Sequence, residues 1–233
     1  MTPASENSEV SVEIWLWDNA DYVGEADHLF TLLNDEELAR RDRQFSRQKG
    51  TFWAISRARV RERLASITGK TAVDLQFEEN EYGKLRLPGA NLHFSLSHEG
   101  SWTALAICEQ AEIGLDLEAV KPLSREEMDW PLSPVERQHL SEVASEDIPQ
   151  AFFRYWTLKE AFIKGLGLGV SFPLEDFDMT PFGEAPGLLR VHGDPEAAKN
   201  WVFEAHEIRP GLRFAVGVKS GGKELKLAYH AKT

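Results

Sequence analysis

Polar and apolar residues alternate from Ser11 to Trp17, and this period of two predicts a β-strand. The pattern then changes. Asn34 with Glu37 three residues on is a capping-box pair, which predicts a helix running to about Phe45. From about Gly50 to Ile67, the residues Trp53, Arg57, Val60, Leu64 and Ile67 recur at 4-3-4-3 spacing, one stripe of a helix that Gly69 closes. Arg57 is the only charged member of that stripe. Leu75–Glu78, Leu92–Leu96, Thr103–Cys108 and Ile113–Leu117 read as short strands, with a turn at Glu81–Lys84 and a loop at Ser97–Ser101. Ser133-Pro134-Val135-Glu136 supplies a capping serine, a proline at the first helical position and a glutamate two further on, so a helix starts there. A long helix follows from about Pro149 to Gly165. Trp201–Ile208, Leu212–Val218 and Lys223–Tyr229 alternate as a final antiparallel meander, and residues 1–10 form a loose polar start. Thr103–Cys108 and Phe214–Val218 are loosely alike, each after a glycine-containing turn, which is compatible with two related halves joined near residues 110–120.

Composition narrows the function classes. At 233 residues and 42% hydrophobic, the chain can bury a sizeable core. One cysteine, Cys108, builds neither a disulfide framework nor a cysteine zinc site, and points to a reducing cytosol. The start MTPASENSEV has neither a basic nor an apolar leader segment, and no run approaches 18 apolar residues, so the expectation is a cytoplasmic protein with no membrane partner. A net charge of -12 argues against nucleic acid as a partner. The charge is uneven, however. Residues 40–63 carry nine bases and two acids, a net +7, so the remainder carries -19. Such a window suits a small polyanionic ligand or an acidic partner, or is simply a solvated helix face.

Three stretches carry candidate chemistry. In Ile113-Gly114-Leu115-Asp116-Leu117-Glu118, residues two apart on a strand share a face, so Asp116 and Glu118 stand side by side. Their repulsion is offset well by a hard cation such as Mg²⁺; a solvated strand face is the alternative. In Trp156-Thr157-Leu158-Lys159-Glu160-Ala161-Phe162-Ile163-Lys164, Trp156, Glu160 and Lys164 recur every four residues on one helix face. Glu160 suits a third metal ligand or a general base and Lys164 a phosphate contact, against an ordinary i,i+4 ion pair. Because Phe152, Phe153, Trp156, Phe162 and Ile163 make this helix apolar on most sides, its charges need partners. In His93-Phe94-Ser95-Leu96-Ser97-His98, alternation puts His93, Ser95 and Ser97 on one face. Ser97 and His98 diverge and lack a nucleophile elbow, so a hydrolase pair is discounted; His98 reads as a phosphate donor or a structural histidine.

Taken together, in order, Glu81-Tyr82-Gly83-Lys84, Phe94-Ser95-Leu96-Ser97-His98, the Gly114-Leu115-Asp116-Leu117-Glu118 strand and the W-x-x-K-E-x-x-x-K run resemble the 4'-phosphopantetheinyl transferases, specifically the monomeric type named after the activator of surfactin synthetase. The likeness is clear over residues 35–180. It implies an α+β fold of two similar halves, 1–112 and 113–233, related by pseudo-two-fold symmetry with the active site between them. It implies transfer of the 4'-phosphopantetheine arm of coenzyme A to a serine of an apo acyl or peptidyl carrier protein, releasing adenosine 3',5'-bisphosphate. Position by position, Asp116, Glu118 and Glu160 would bind Mg²⁺. Glu160 would act as or orient the general base, and Lys164 would neutralise the pyrophosphate. Ser97 and His98 would contact the coenzyme's phosphates, Lys84 and its loop would flank the adenine nucleotide, and Arg47 would approach the 3'-phosphate. Trp156 would support the site. Two positions depart from the family pattern: Glu99 follows the Ser-His pair, and Leu85 follows the loop lysine where proline is common. An Mg²⁺-dependent phosphodiesterase or nucleotide hydrolase, and a catalytically silent carrier-binding module, are the competing readings.

Overall fold

The computed structural model describes residues 9–182 and 185–231; residues 1–8, which hold most of the expected polar start, lie outside them. The chain begins with β1 (Glu9–Asp18), a short 3₁₀ turn and α1 (Ala26–Phe30). Next come α2 (Asp35–Asp42), α3 (Arg47–Thr68), the small hairpin β2 (Glu78–Glu79) and β3 (Leu85–Arg86), then β4 (His93–Glu99), β5 (Trp102–Cys108) and β6 (Ile113–Ala119). After α4 (Arg125–Asp129) and α5 (Pro134–Ser141) runs α6 (Ile148–Leu166). The hairpin β7 (Phe177–Thr180) and β8 (Gly187–Val191), α7 (Ala197–Asn200), β9 (Val202–Arg209), β10 (Leu212–Val218) and β11 (Glu224–Ala231) complete it.

The expected caps form as written. Asn34 and Glu37 satisfy each other's backbone N–H groups at the start of α2, and Ser133 and Glu136 do so at α5. Gly69 ends α3 as expected, whereas α6 runs past the expected Gly165 to Leu166 and ends on Gly167; both capping glycines take the left-handed conformation that glycine tolerates best. α2 stops at Asp42, short of Phe45, because a second cap, Ser46, starts α3 there. Phe45 is left exposed at the joint. The strand expected at Leu75–Glu78 is also not built that way. A 3₁₀ turn over Ala72–Asp74 buries Leu75, and strand pairing begins only at Glu78.

Strand order is β11-β1-β5-β4 in one sheet and β6-β10-β9 in the other. Period-two alternation splits each strand between two layers. In the first sheet Trp17, Leu105 and Ile107 face a core shared with Ala54, Val60 and Leu64 of α3. Their neighbours Val12, Ile14, Ala104, Ala106 and Cys108 join Leu115, Leu117, Phe214 and Val216 of the second sheet in a middle layer. α6 then covers the outer face of the second sheet, packing Phe152, Phe153, Phe162 and Ile163 with Phe177, Trp201, Phe203 and Ala215. The expected C-terminal meander is corrected at its third strand: β9 and β10 pair antiparallel, but β11 leaves them and pairs in parallel with β1, from Glu9–Glu224 to Leu16–Ala231. Val10 and Val12 are then covered on an otherwise open edge, which offsets the cost of a long connection.

The junction of the two sheets is made by side chains. Ser95 Oγ accepts the Leu115 N–H at 3.0 Å and Ser97 Oγ accepts the Leu117 N–H at 3.2 Å, so two serines of β4 stand in for a backbone ladder to β6. On the other side β6 meets α6 with no room for a side chain. A Cβ on Gly114 would overlap the Ala161 carbonyl and the Gly165 backbone, and one on Gly165 would overlap the Trp201 ring.

Candidate active site

A cavity of about 340 Å³ opens between the two helix-covered sheets, lined by Arg40, Trp53 and Arg57 from the first and by Glu160, Ile163 and Lys164 from the second. β4 passes between them, contributing His98. Ser97 and His98 lie within this strand and not on a loop; the turn comes two residues later, at Gly100.

Asp116 is 2% exposed. Its Oδ1 accepts from Lys164 Nζ at 2.6 Å and from Ser97 Oγ at 3.0 Å. Its Oδ2 is buried with no partner. Glu118, two residues on and on the same face, accepts from Trp156 Nε1 at 2.9 Å. Burial first, and then the Asp116 charge, push the Glu118 carboxyl up to about 7. Glu160 is raised by the same two causes, with Lys164 opposing them. Burial draws Lys164 down, but Asp116, Glu160 and Glu118 together outweigh it and hold Lys164 as an ammonium. Three acids therefore crowd one amine. The crossing of α6 over β6 at Gly114 and Gly165 brings them together.

Among the described residues, no group of three His, Cys, Asp or Glu side chains stands arranged to hold a metal ion. The donor chemistry nevertheless fits a hard cation. Glu118 and Glu160 both feel the Asp116 charge, one buried Asp116 oxygen lacks any hydrogen-bond partner, and burial followed by that charge raises the two glutamates.

On the opposite wall, His98 Nε2 lies 2.8 Å from Ser56 Oγ. Its ring opens onto the cavity, yet protein surrounds it on the other sides. Burial, then Lys164 and Arg57, push it down to about 4, so it is neutral at physiological pH. Ser97 has its one proton on Asp116 and its lone pairs on Leu117 N–H and Lys164, so its hydroxyl is fully engaged in joining β4 to the acids. Lys84 lines the cavity, with its Nζ on the carbonyls of Gly165 and Ile113. Arg47 is exposed in the first turn of α3 and does not line the cavity.

Arg57 is the residue that motif reading passed over. It is 8% exposed, lies between the Trp53 and Phe77 rings at 5.6 and 5.2 Å, and touches Glu37 at 3.5 Å. Its Nη1 is buried and unpartnered. A charge in the apolar stripe of α3 was its signal. The basic window as a whole is partly turned inward: Arg61 is buried on Glu37 and on the carbonyls of Ala72 and Leu75, whereas Arg43, Arg47 and Lys49 are exposed.

Comparison with known proteins agrees with this arrangement. The family model of the 4'-phosphopantetheinyl transferase superfamily matches residues 112–218, from the residue before β6 to the end of β10. A 4'-phosphopantetheinyl transferase of Bacillus subtilis is 28% identical over 196 residues, covering 79% of this chain and 87% of that protein. The 4'-phosphopantetheinyl transferase Sfp of Bacillus subtilis (strain 168) is 32% identical over 151 residues, 61% of this chain and 62% of Sfp. The L-aminoadipate-semialdehyde dehydrogenase-phosphopantetheinyl transferase of Rattus norvegicus is 27% identical over 158 residues, 61% of this chain and 51% of that protein. The crystal structure of Thermotoga maritima holo-[acyl-carrier-protein] synthase superposes with a TM-score of 0.38 at 19% identity, covering 50% of this chain and 66% of that one, too slight a likeness to carry an argument. The matched region begins at the acidic strand and includes the whole Lys-Glu helix, and the relatives extend over most of the chain: it belongs to the 4'-phosphopantetheinyl transferase superfamily, in the branch that includes Sfp.

Proposed function

We propose that this protein transfers the 4'-phosphopantetheine arm of coenzyme A to a serine hydroxyl of an apo acyl or peptidyl carrier protein. The serine Oγ attacks the pantetheine-side phosphorus of the pyrophosphate. A new phosphorus–oxygen bond forms, the bridging bond breaks, and adenosine 3',5'-bisphosphate leaves with the bridging oxygen. The observation that carries the reading is the meeting, across one cavity, of Glu160 and Lys164 with His98 and Arg57, with Asp116 bound to Lys164 behind them and Glu118 coupled to Asp116.

Each side chain has a part. Asp116, Glu118 and Glu160 would hold Mg²⁺, with the partnerless Asp116 Oδ2 as the donor that most lacks a cation. When bound, the metal supplies positive charge to the phosphate oxygens as negative charge grows there. Lys164, held as an ammonium beside Asp116, faces the leaving pyrophosphate oxygens. Glu160, whose carboxyl is raised toward neutrality, takes the serine proton or orients the group that does. His98 and Arg57, with Arg47 further out, bind the coenzyme's phosphates. Ser97 serves the same anion through Asp116 and Lys164, the groups it fastens. Trp156 holds Glu118 in place. We also read residues 1–112 and 113–233 as two halves related by pseudo-two-fold symmetry, each a sheet with one long helix. We take the enzyme to act as a cytoplasmic monomer, since one chain supplies both walls of the cavity. Among the described residues no helix is long and apolar enough to cross a membrane.

The test is incubation with coenzyme A, Mg²⁺ and a panel of apo carrier proteins, read by carrier mass. A phosphopantetheine mass on a serine, lost in EDTA and abolished by Asp116→Ala in a folded variant, is the expected result. Coenzyme A hydrolysis that needs no carrier would replace this reading with a phosphodiesterase. Coenzyme binding without turnover on any carrier would replace it with a silent binder.

A further inference from the structure

The loop lysine has a task of its own. Lys84 reaches from the β2–β3 loop to two backbone carbonyls, Gly165 O at 2.8 Å and Ile113 O at 3.1 Å. The first belongs to the last turn of α6, where carbonyls have no donor inside the helix. The second opens β6. The loop that presents the lysine is itself tied down. Asn80 Nδ2 donates to Gly167 O at 2.7 Å, and Asn80 Oδ1 accepts the N–H groups of Tyr82 and Lys84 at 3.0 and 2.9 Å. A Cβ on Gly167 would press on the lysine stem at 3.0 Å, so the two pack tightly. Both acceptors lie at the crossing where Gly114 and Gly165 let the two backbones touch. Three residues beyond Ile113 comes Asp116, and the residue before Gly165 is Lys164. Burial draws the Lys84 ammonium down to about 8, with the Glu112 charge opposing, as expected for a cation whose hydrogen-bond partners are carbonyls.

We propose that Lys84 is a positioning residue: by bridging the carbonyls of Ile113 and Gly165 it fixes the spacing of β6 and α6, the two elements that carry the three carboxylates and Lys164. It acts through those elements and does not itself hold the coenzyme. Lining the cavity and flanking a nucleotide are compatible with this, because its donors point into the crossing and its stem faces the cavity.

The activity readout rests on the transfer reading above; the binding and exchange readouts do not. Lys84→Met keeps the stem and removes the donors, and Lys84→Arg keeps donors. In Lys84→Met we expect coenzyme A affinity by calorimetry within about threefold of wild type, and kcat lower by about tenfold or more at unchanged KM for the coenzyme, since small misplacements of reacting groups cost that much. Half-activating Mg²⁺ should rise, and Lys84→Arg should restore most of the loss. Amide exchange over residues 113–119 and 160–167 should be faster in Lys84→Met and return in Lys84→Arg. Loss of coenzyme affinity by tenfold or more at unchanged kcat would overturn the proposal and make Lys84 a ligand contact. Unchanged kinetics and unchanged exchange would overturn it as well. Should Lys84→Met fail to fold, Lys84→Gln, which retains two donors without charge, is judged by the same readouts. Should the wild type transfer nothing, the transfer reading fails, and exchange and Mg²⁺ binding alone decide the role of Lys84.

Discussion

His98 shows how one side chain's setting defines its use. A histidine meeting an anion usually gains a proton, yet here burial and two cations keep the ring neutral and its pKa near 4. The sign of the effect is clear: an incoming dianion reverses the local field, so binding must raise this pKa. We expect the His98 ring resonances to titrate near pH 4 in the free protein and at a clearly higher pH with coenzyme A bound. An unmoved titration would remove His98 from the phosphate site. Arg57 tells the same story from the other side. Its unpartnered Nη1 is a buried donor, which is costly unless a ligand completes it. Arg57→Gln is therefore expected to weaken coenzyme A binding by roughly 10- to 100-fold, as loss of a charged hydrogen bond does, with kcat at saturation less affected. Calorimetry and a KM-against-kcat comparison check it. Arg57 comes from α3 and His98 from β4, where it meets Ser56 of α3, so the basic window contributes to the site through its buried Arg57 and not through its exposed members.

At the scale of elements, the site depends on how closely α6 can approach β6. Gly114→Ala drives a methyl into the Ala161 carbonyl and the Gly165 backbone, neither of which can swing aside. The expected cost is about 3 kcal/mol, the upper part of the overpacking range, with loss of activity. Thermal melts and turnover measure both. The middle of α6 is pinned more expensively. Lys159, fully buried, donates to Glu136 Oε2 at 2.7 Å and to the Phe177 carbonyl at 2.9 Å, while Glu136 also accepts the Met179 N–H. Lys159→Met strands the Glu136 charge, and about 3–5 kcal/mol of stability should go with it. Adding Glu136→Gln should return part of that loss, because the pair's cost lies in leaving one charge alone. A double-mutant cycle by denaturant unfolding decides it. These particulars also show what motif spacing can carry. The glycine of G-L-D-L-E and the first lysine of W-x-x-K-E were visible as residues. Their reasons, a backbone crossing and a buried ion pair 23 residues apart, were not, since no local pattern encodes which surface meets which.

Over the whole molecule, β11 ties together the two halves we propose. It starts in the C-terminal half and closes the N-terminal sheet, pairing with β1 over eight residues, while Tyr229 donates to Glu204 of β9 at 2.7 Å. The middle apolar layer is likewise common to both sheets. We therefore expect a single cooperative endotherm, and fragments 1–112 and 113–233 that do not fold when expressed separately. Two resolved transitions, or a fragment with dispersed amide resonances, would show independent halves instead.

The sequence by itself determined several helix ends, because caps and glycines act within one turn of chain: Asn34 with Glu37, Ser133 with Glu136, and Gly69. It also determined most strands of the core, where alternation is local, and it gathered Asp116, Glu118, Glu160 and Lys164 into recognisable motifs. Only the tertiary structure decided that Lys164 sits on Asp116, that Ser97 is a joint, that Arg57 and not Arg47 lines the cavity, and that β11 joins β1. Those outcomes rest on long-range partners. A strand's edge has no preference for its neighbour until the rest of the core has chosen a side, and a buried charge is explained only by what is buried with it.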